Sequence, residues 1–150
     1  MANSGSDKNL MREAVAIAYS AATGVKNAVF DITIPEGYAI ELHSVEFIVG
    51  SLAVVGNYSC YLVDDPDETT DPGHSAEKTI TSEIFSVQTA VGFARSSVDK
   101  DVHKQLLVQP PNFVTNCSGT ISTSLFCRIW FDFIKISPQK ILDLLRQQQY

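Results

Sequence analysis

Residues 125–136 form one long apolar run, Leu125-Phe126-Cys127-Arg128-Ile129-Trp130-Phe131-Asp132-Phe133-Ile134-Lys135-Ile136, closed at once by Ser137-Pro138. Aromatic and β-branched side chains dominate it, which favours a strand. At roughly 3.3 Å per residue such a strand runs about 40 Å, beyond the usual length. Its two faces are nearly alike. Leu125, Cys127, Ile129, Phe131 and Phe133 share one side with Lys135, while Phe126, Trp130, Ile134 and Ile136 share the other with Arg128 and Asp132. A strand in a sheet with one wet face alternates apolar with polar. One that is apolar on both sides needs two covers, and a small chain readily supplies only one. Packing of the second side against another subunit is therefore the leading expectation.

The 150 residues suffice for one domain with a real core, without disulfides to compensate for small size. Hydrophobic residues make up 45% of the chain and mean hydropathy is +0.05, which indicates a globular protein. Charged residues, at 19%, fall below the usual quarter. That fits a surface buried in an assembly, and equally a compact β domain rich in Ser and Thr. The net charge of −6 and the lack of any basic run argue against direct nucleic-acid binding.

Cys60, Cys117 and Cys127 are an odd count without CxxC spacing, so buried thiols are expected rather than a disulfide framework or a zinc site. Residues 1–9 lack the charged and apolar regions of a signal peptide, and no apolar run approaches the ~20 residues of a membrane span. Asn57-Tyr58-Ser59 and Asn116-Cys117-Ser118 match the glycosylation pattern; without an export signal both read as chance.

Along the chain, residues 1–9 read as a flexible polar arm. Residues 10–22 are ambiguous: Leu10, Ala14, Ile17 and Ala21 would line a helical face, whereas Val15, Ile17 and Tyr19 alternate like a strand. Residue types tip this stretch toward a helix ending at Gly24. Strands follow at 25–34 and 38–49, joined by the turn signal Pro35-Glu36-Gly37. Tyr38, Ile40 and Leu42 share one parity and Val45, Phe47 and Val49 the other, so a β-bulge belongs near His43-Ser44. Further strands are expected at 54–63, 85–93 and 105–109. Residues 64–76 read as a polar loop, 94–104 as a charged loop and 112–118 as a linker. Seven or eight strands without helical crossovers indicate a β-sandwich or barrel, and a jelly roll accommodates them in one domain. Ser137 as N-cap and Pro138 as first helical residue start a final helix striped by Ile141, Leu142, Leu144 and Leu145. At roughly twelve residues it is marginal alone, so it must dock, on its own sheet edge or on a neighbour.

Asp64, Asp65, Asp67, Glu68 and Asp71, with His74 beyond, could supply oxygen ligands for Ca²⁺, although the spacing is not an EF-hand. A plain solvated loop explains them as well, so no metal or other cofactor is assigned. His43, His74 and His103 share no motif, and no nucleophile elbow, P-loop or HExxH occurs. A Cys117–His103 nucleophile pair has nothing to support it beyond the residue types. Cupin-type metal chemistry would need paired histidines on one strand. The chain is thus not expected to be an enzyme. Tyr38, Tyr58, Tyr61, Phe126 and Trp130 could line a sugar-binding face, though strand aromatics usually reflect packing.

Residues 32–47, with Ile34-Pro35-Glu36-Gly37 before Tyr38-Ala39-Ile40-Glu41-Leu42-His43, resemble an early strand-turn-strand of small single jelly-roll virion structural proteins of tailless or uncultivated viruses. Arg128-Ile129-Trp130-Phe131, Lys135-Ile136-Ser137 and the helix on Ile141-Leu142-Asp143-Leu144-Leu145 resemble their C-terminal pattern. Together these cover about a third of the chain, and the motifs are structural rather than catalytic. Many such capsid proteins carry an arginine-rich arm, which this chain lacks. The resemblance then implies a protein that coats a membrane, another shell, or a genome neutralised by something else.

The expected fold is all-β, an antiparallel β-sandwich of jelly-roll type over residues 10–136, with an arm at 1–9, a C-terminal amphipathic helix at 137–150 and an N-terminal helix. The expected role is a capsid or shell component of a virion, assembled in the host cytoplasm through hydrophobic contacts between copies, with other virion proteins as further partners. Trp130, Ile134, Ile136, Leu142, Leu145 and Tyr150 are the expected interface residues. The alternative is a β-sandwich module, a spike or decoration protein, that binds a receptor or carbohydrate.

Overall fold

The long apolar run finds one cover within the chain. In the computed structural model, which describes residues 11–20, 24–50, 55–69, 79–87, 95–118 and 123–147, it lies in the middle of one of two packed antiparallel sheets. The strands among the described residues are β1 (Arg12–Ser20), β2 (Gly24–Val29), β3 (Tyr38–Val49), β4 (Gly56–Val63), β5 (Thr79–Val87), β6 (Arg95–Asp99), β7 (Leu106–Leu107), β8 (Asn112–Cys117) and β9 (Thr123–Lys135). A helix, α1 (Pro138–Gln147), follows β9. It is neither long nor apolar enough to cross a membrane.

One sheet has the order β1-β9-β3-β6, with β7 also on β3; the other has the order β2-β8-β4-β5. Apart from the short β7, the chain pairs like one long hairpin wound on itself. β1 meets β9, β2 meets β8, β3 meets β6 and β4 meets β5. With β7 set aside, every connection among these strands crosses between sheets except β4–β5. This is the jelly-roll order.

The core lies between the sheets. From β9 it takes Leu125, Cys127, Ile129 and Phe131; from β3, Ile40, Leu42, Val45, Phe47 and Val49. The opposing layer supplies Tyr58, Cys60, Leu62, Phe85, Phe113 and Cys117. Phe47 and Phe113 stack across the gap, ring centroids 6.1 Å apart. The parity of β3 inverts where Leu42 pairs with Phe131 and Ser44 with Trp130, leaving His43 as the extra residue of the bulge. Both halves of β3 thereby face the core. On its other edge β7 pairs the first half and β6 the second. The turn after Pro35 closes by Tyr38 N donating to Pro35 O at 3.0 Å, with Gly37 at φ 81°, a value that favours glycine.

Four expectations are corrected. Within the stretch expected to be helical, the described residues 12–20 are a strand: β1 pairs in register with β9 from Arg12↔Phe131 to Ser20↔Thr123. Ala14, Ala16 and Ala18 turn inward, and the ladder outweighs propensities worth fractions of a kcal/mol per residue. The linker at 112–118 is β8, paired on both sides by β2 and β4. The loop at 94–104 contains β6. The strand expected at 25–34 ends at Val29, where Phe30 N turns to Pro111 O at 3.0 Å. The expected alternation at 88–93 and the arm at 1–9 lie outside the described residues.

β5 and β6 are edge strands of opposite sheets, and next to inward Phe85 the inward positions that face each other are polar. Thr81 Oγ1 donates to Asp99 Oδ2, and Ser97 Oγ donates to Glu83 Oε2 at 3.2 Å. These bonds close the open side of the sandwich where apolar side chains would meet water.

Candidate functional site

The ladder of the β1-β9-β3-β6 sheet aligns its outer side chains in rows. Ile17, Phe126 and Ile48 stand side by side on β1, β9 and β3. Val15, Arg128, Glu46 and Val98 form the next row, and Glu13, Trp130 and Ser44 the one after. Val15 and Ile17 are 45% and 40% exposed, Val98 50%, while Phe126, Ile48 and Trp130 are half-buried. The second side of the long strand is thus only half-buried within the chain. Arg128 sits at its centre. Its Nε is 3.3 Å from Glu13 Oε1 and Nη1 is 3.7 Å from Glu46 Oε1. Nε is buried but not aligned for a hydrogen bond, so the Glu13 contact is coulombic. Such partly exposed pairs contribute at most about 1 kcal/mol. The guanidinium also lies 5.7 Å from the Trp130 ring centroid, covering part of the indole.

The helix α1 starts as its sequence predicts. Ser137 Oγ accepts from Lys140 N at 3.2 Å and Ser137 O from Ile141 N at 3.1 Å. Its contacts with the strands are slight, and none of its described residues is buried. Leu142 and Leu145 are 48% and 39% exposed; Ile141 and Leu144 are half-buried. Docking on the chain's own sheet edge is not seen.

Of the expected interface residues, Trp130 and Ile134 share the outer row of β9, half-buried, with half-buried Ile136 just beyond. Leu142 and Leu145 share the exposed stripe of α1. Tyr150 lies outside the described residues. Sequence reasoning missed Val15, Ile17, Ile48 and Val98. The alternation of Val15 and Ile17 was visible, but it stood against helix-favouring neighbours.

The other candidate groups are dispersed or occupied. Tyr58 is fully buried in the core and Tyr61 lies on the second sheet, so the five aromatics do not share a sugar-binding face. His43 and His103 do meet, ring centroids 5.4 Å apart, beside an open hollow of about 420 Å³ lined by Met11, His43, Ser44, Lys100 and His103. The Lys100 ammonium there opposes a cation. His74 and Asp71 lie outside the described residues. Asn112 Nδ2 donates to Asp65 O at 3.2 Å and Glu68 O at 2.8 Å, and Gln109 Nε2 to Asp64 O at 3.1 Å. These loop carbonyls therefore face amide donors. Among the described residues no group of three or more His, Cys, Asp or Glu gathers as for a metal.

Cys60, Cys117 and Cys127 are buried thiols, and Cys117 is inside the sandwich while His103 is exposed. Burial pushes Cys60 and Cys127 well above the ordinary thiol range, with neighbouring thiols adding to the effect. Both are expected to resist a thiol-specific reagent at pH 8 until the protein unfolds, when they react at once. The unfolded chain releases these protons above about pH 8.5 and the fold does not, so stability falls as pH rises beyond that point. Denaturant midpoints between pH 8 and 10 measure the fall; a rise, or rapid native labelling, contradicts the burial.

No family model and no curated protein matches the chain significantly. Among solved structures, the K3 cleaved adhesin domain of Lys-gingipain from Porphyromonas gingivalis is similar at 12% identity and a TM-score of 0.35, over 78% of this chain and 71% of that one. The strand order above, not this likeness, defines the fold as an all-β sandwich.

Proposed function

We propose that this protein is a structural component of a virion, a capsid or shell subunit that associates with copies of itself through apolar surface. The observation that carries the reading is α1, whose apolar stripe the sandwich leaves open. A ten-residue helix is marginal in water, so a stable α1 calls for a partner surface. The jelly-roll order fits the reading, being an architecture that viral shells use, though lectins and cupins use it too. The role is non-catalytic, and the net charge of −6 leaves genome neutralisation to another component. Assembly takes place in the host cytoplasm, with other virion proteins as further partners.

Light scattering across a concentration series, with electron microscopy of the same samples, tests this directly. Rings, shells or defined oligomers that grow with concentration are expected. A protein that stays monomeric up to millimolar concentration overturns the reading.

A further inference from the structure

Among the described residues two apolar surfaces are left open, the stripe of α1 and the row Ile17–Phe126–Ile48, and α1 cannot reach that row within one chain. From Phe126 to Ile136 the strand runs roughly 33 Å, at 3.3 Å per residue. The helix that follows is about 15 Å long, at 1.5 Å per residue. Even folded straight back over the sheet, α1 stops well short of the row Ile17–Phe126–Ile48. The helix of another copy has no such restriction.

Charge points the same way. Among the described residues the outer face carries Glu13, Glu41, Glu46 and Asp132 around the cation Arg128, with Lys100 at its margin beside Ser44, so carboxylates remain in excess. On α1, Lys140 and Arg146 flank the apolar stripe, and Asp143 pairs with Arg146 at 3.9 Å. An apolar stripe with surplus positive charge faces an apolar row with surplus negative charge. Two copies of the helix, or two copies of the sheet face, would instead bring like charges together.

Resting on the self-assembly reading, we infer that α1 of one copy docks on the outer face of the β1-β9-β3-β6 sheet of the next, with Leu142 and Leu145 against Val15, Ile17 and Phe126. The contact is heterologous, one surface donating and a different one receiving. Contacts of that kind propagate into rings, shells or filaments rather than closing as a simple two-fold dimer. One helix stripe is smaller than the roughly 800 Å² per partner of a standard interface, so each contact is weak. Assembly then gains its strength from each subunit using both surfaces.

Two variants test the arrangement. Leu142→Asp/Leu145→Asp spoils the donating surface. Val15→Lys/Ile17→Lys spoils the receiving one at exposed positions of an edge strand, where lysine is well tolerated. Thermal melting close to that of the unmodified protein confirms that each is folded. Each alone is expected to associate at least tenfold more weakly. The isotopically labelled helix variant, titrated with the unlabelled sheet variant, is expected to show saturable NMR shifts on β1 and β9, weakened by added salt. A sheet variant that assembles like the unmodified protein, or a mixture without shifts on β1 and β9, overturns this contact and leaves self-assembly standing. An unmodified protein that never associates overturns self-assembly itself.

Discussion

Asn112→Asp is expected to destabilise the protein by about 3–5 kcal/mol at pH 7, the range for a buried charge left without a partner. Asn112 is fully buried at the start of β8. Its amide nitrogen donates to two carbonyls of the loop after β4, those of Asp65 and Glu68, while its oxygen lies 3.5 Å from Asn27 Nδ2 on β2. One side chain thus ties three segments together. Aspartate keeps the shape but has no amide hydrogens, and when ionised it sets a negative oxygen against two carbonyls.

The pH dependence has a definite sign. In the fold that new carboxyl is held above its ordinary value by burial and facing carbonyls, whereas in the unfolded chain it titrates near 3.9. The penalty is therefore smallest below about pH 4 and grows as pH rises toward the folded value. Urea melts of both proteins at pH 4 and pH 7 give the comparison. A deficit under about 1 kcal/mol at pH 7, or one independent of pH, means that Asn112 does not hold the loop in this way.

What the sequence made legible was whatever depends on local pattern. The two-sided run of β9, the parity break at His43, the Pro35-Glu36-Gly37 turn and the Ser137-Pro138 helix start are each written in a few consecutive residues. β8 was not legible because Phe113, Thr115 and Cys117 face the core while Asn112 and Val114 are equally buried on the other row. A strand buried on both faces shows no alternation, and Pro110-Pro111 before it suggests a linker. β6 was missed for the opposite reason. Its inward residues Ser97 and Asp99 are polar because they bond Glu83 and Thr81 across the sandwich, a pairing separated by 14 and 18 positions in the chain. The outer surface was half legible. Trp130 and the leucines of α1 stand out in sequence, whereas the company that Ile17 and Ile48 give to Phe126 exists only once the register is known.

Phe113→Ala separates the fold from the proposed assembly contact. Phe113 is fully buried on β8 and its ring stacks on Phe47 of β3, one from each sheet. Removing it opens a cavity where the two layers meet, and truncations of that kind cost about 3–5 kcal/mol. A domain whose total stability is about 5–15 kcal/mol loses much of its margin. Phe47→Ala is expected to cost a similar amount. The double variant falls short of the sum by about 0.5–1.5 kcal/mol, the coupling between paired rings. Both side chains point away from the outer face and from α1, so at temperatures where Phe113→Ala remains folded its association matches that of the unmodified protein. The helix variant reverses the pattern, with stability nearly unchanged and association lost. If Phe113→Ala costs less than about 1 kcal/mol, the sheets are not packed through this pair. If it abolishes association while still folded, the contact between copies depends on the interior of the sandwich and not on its outer surface.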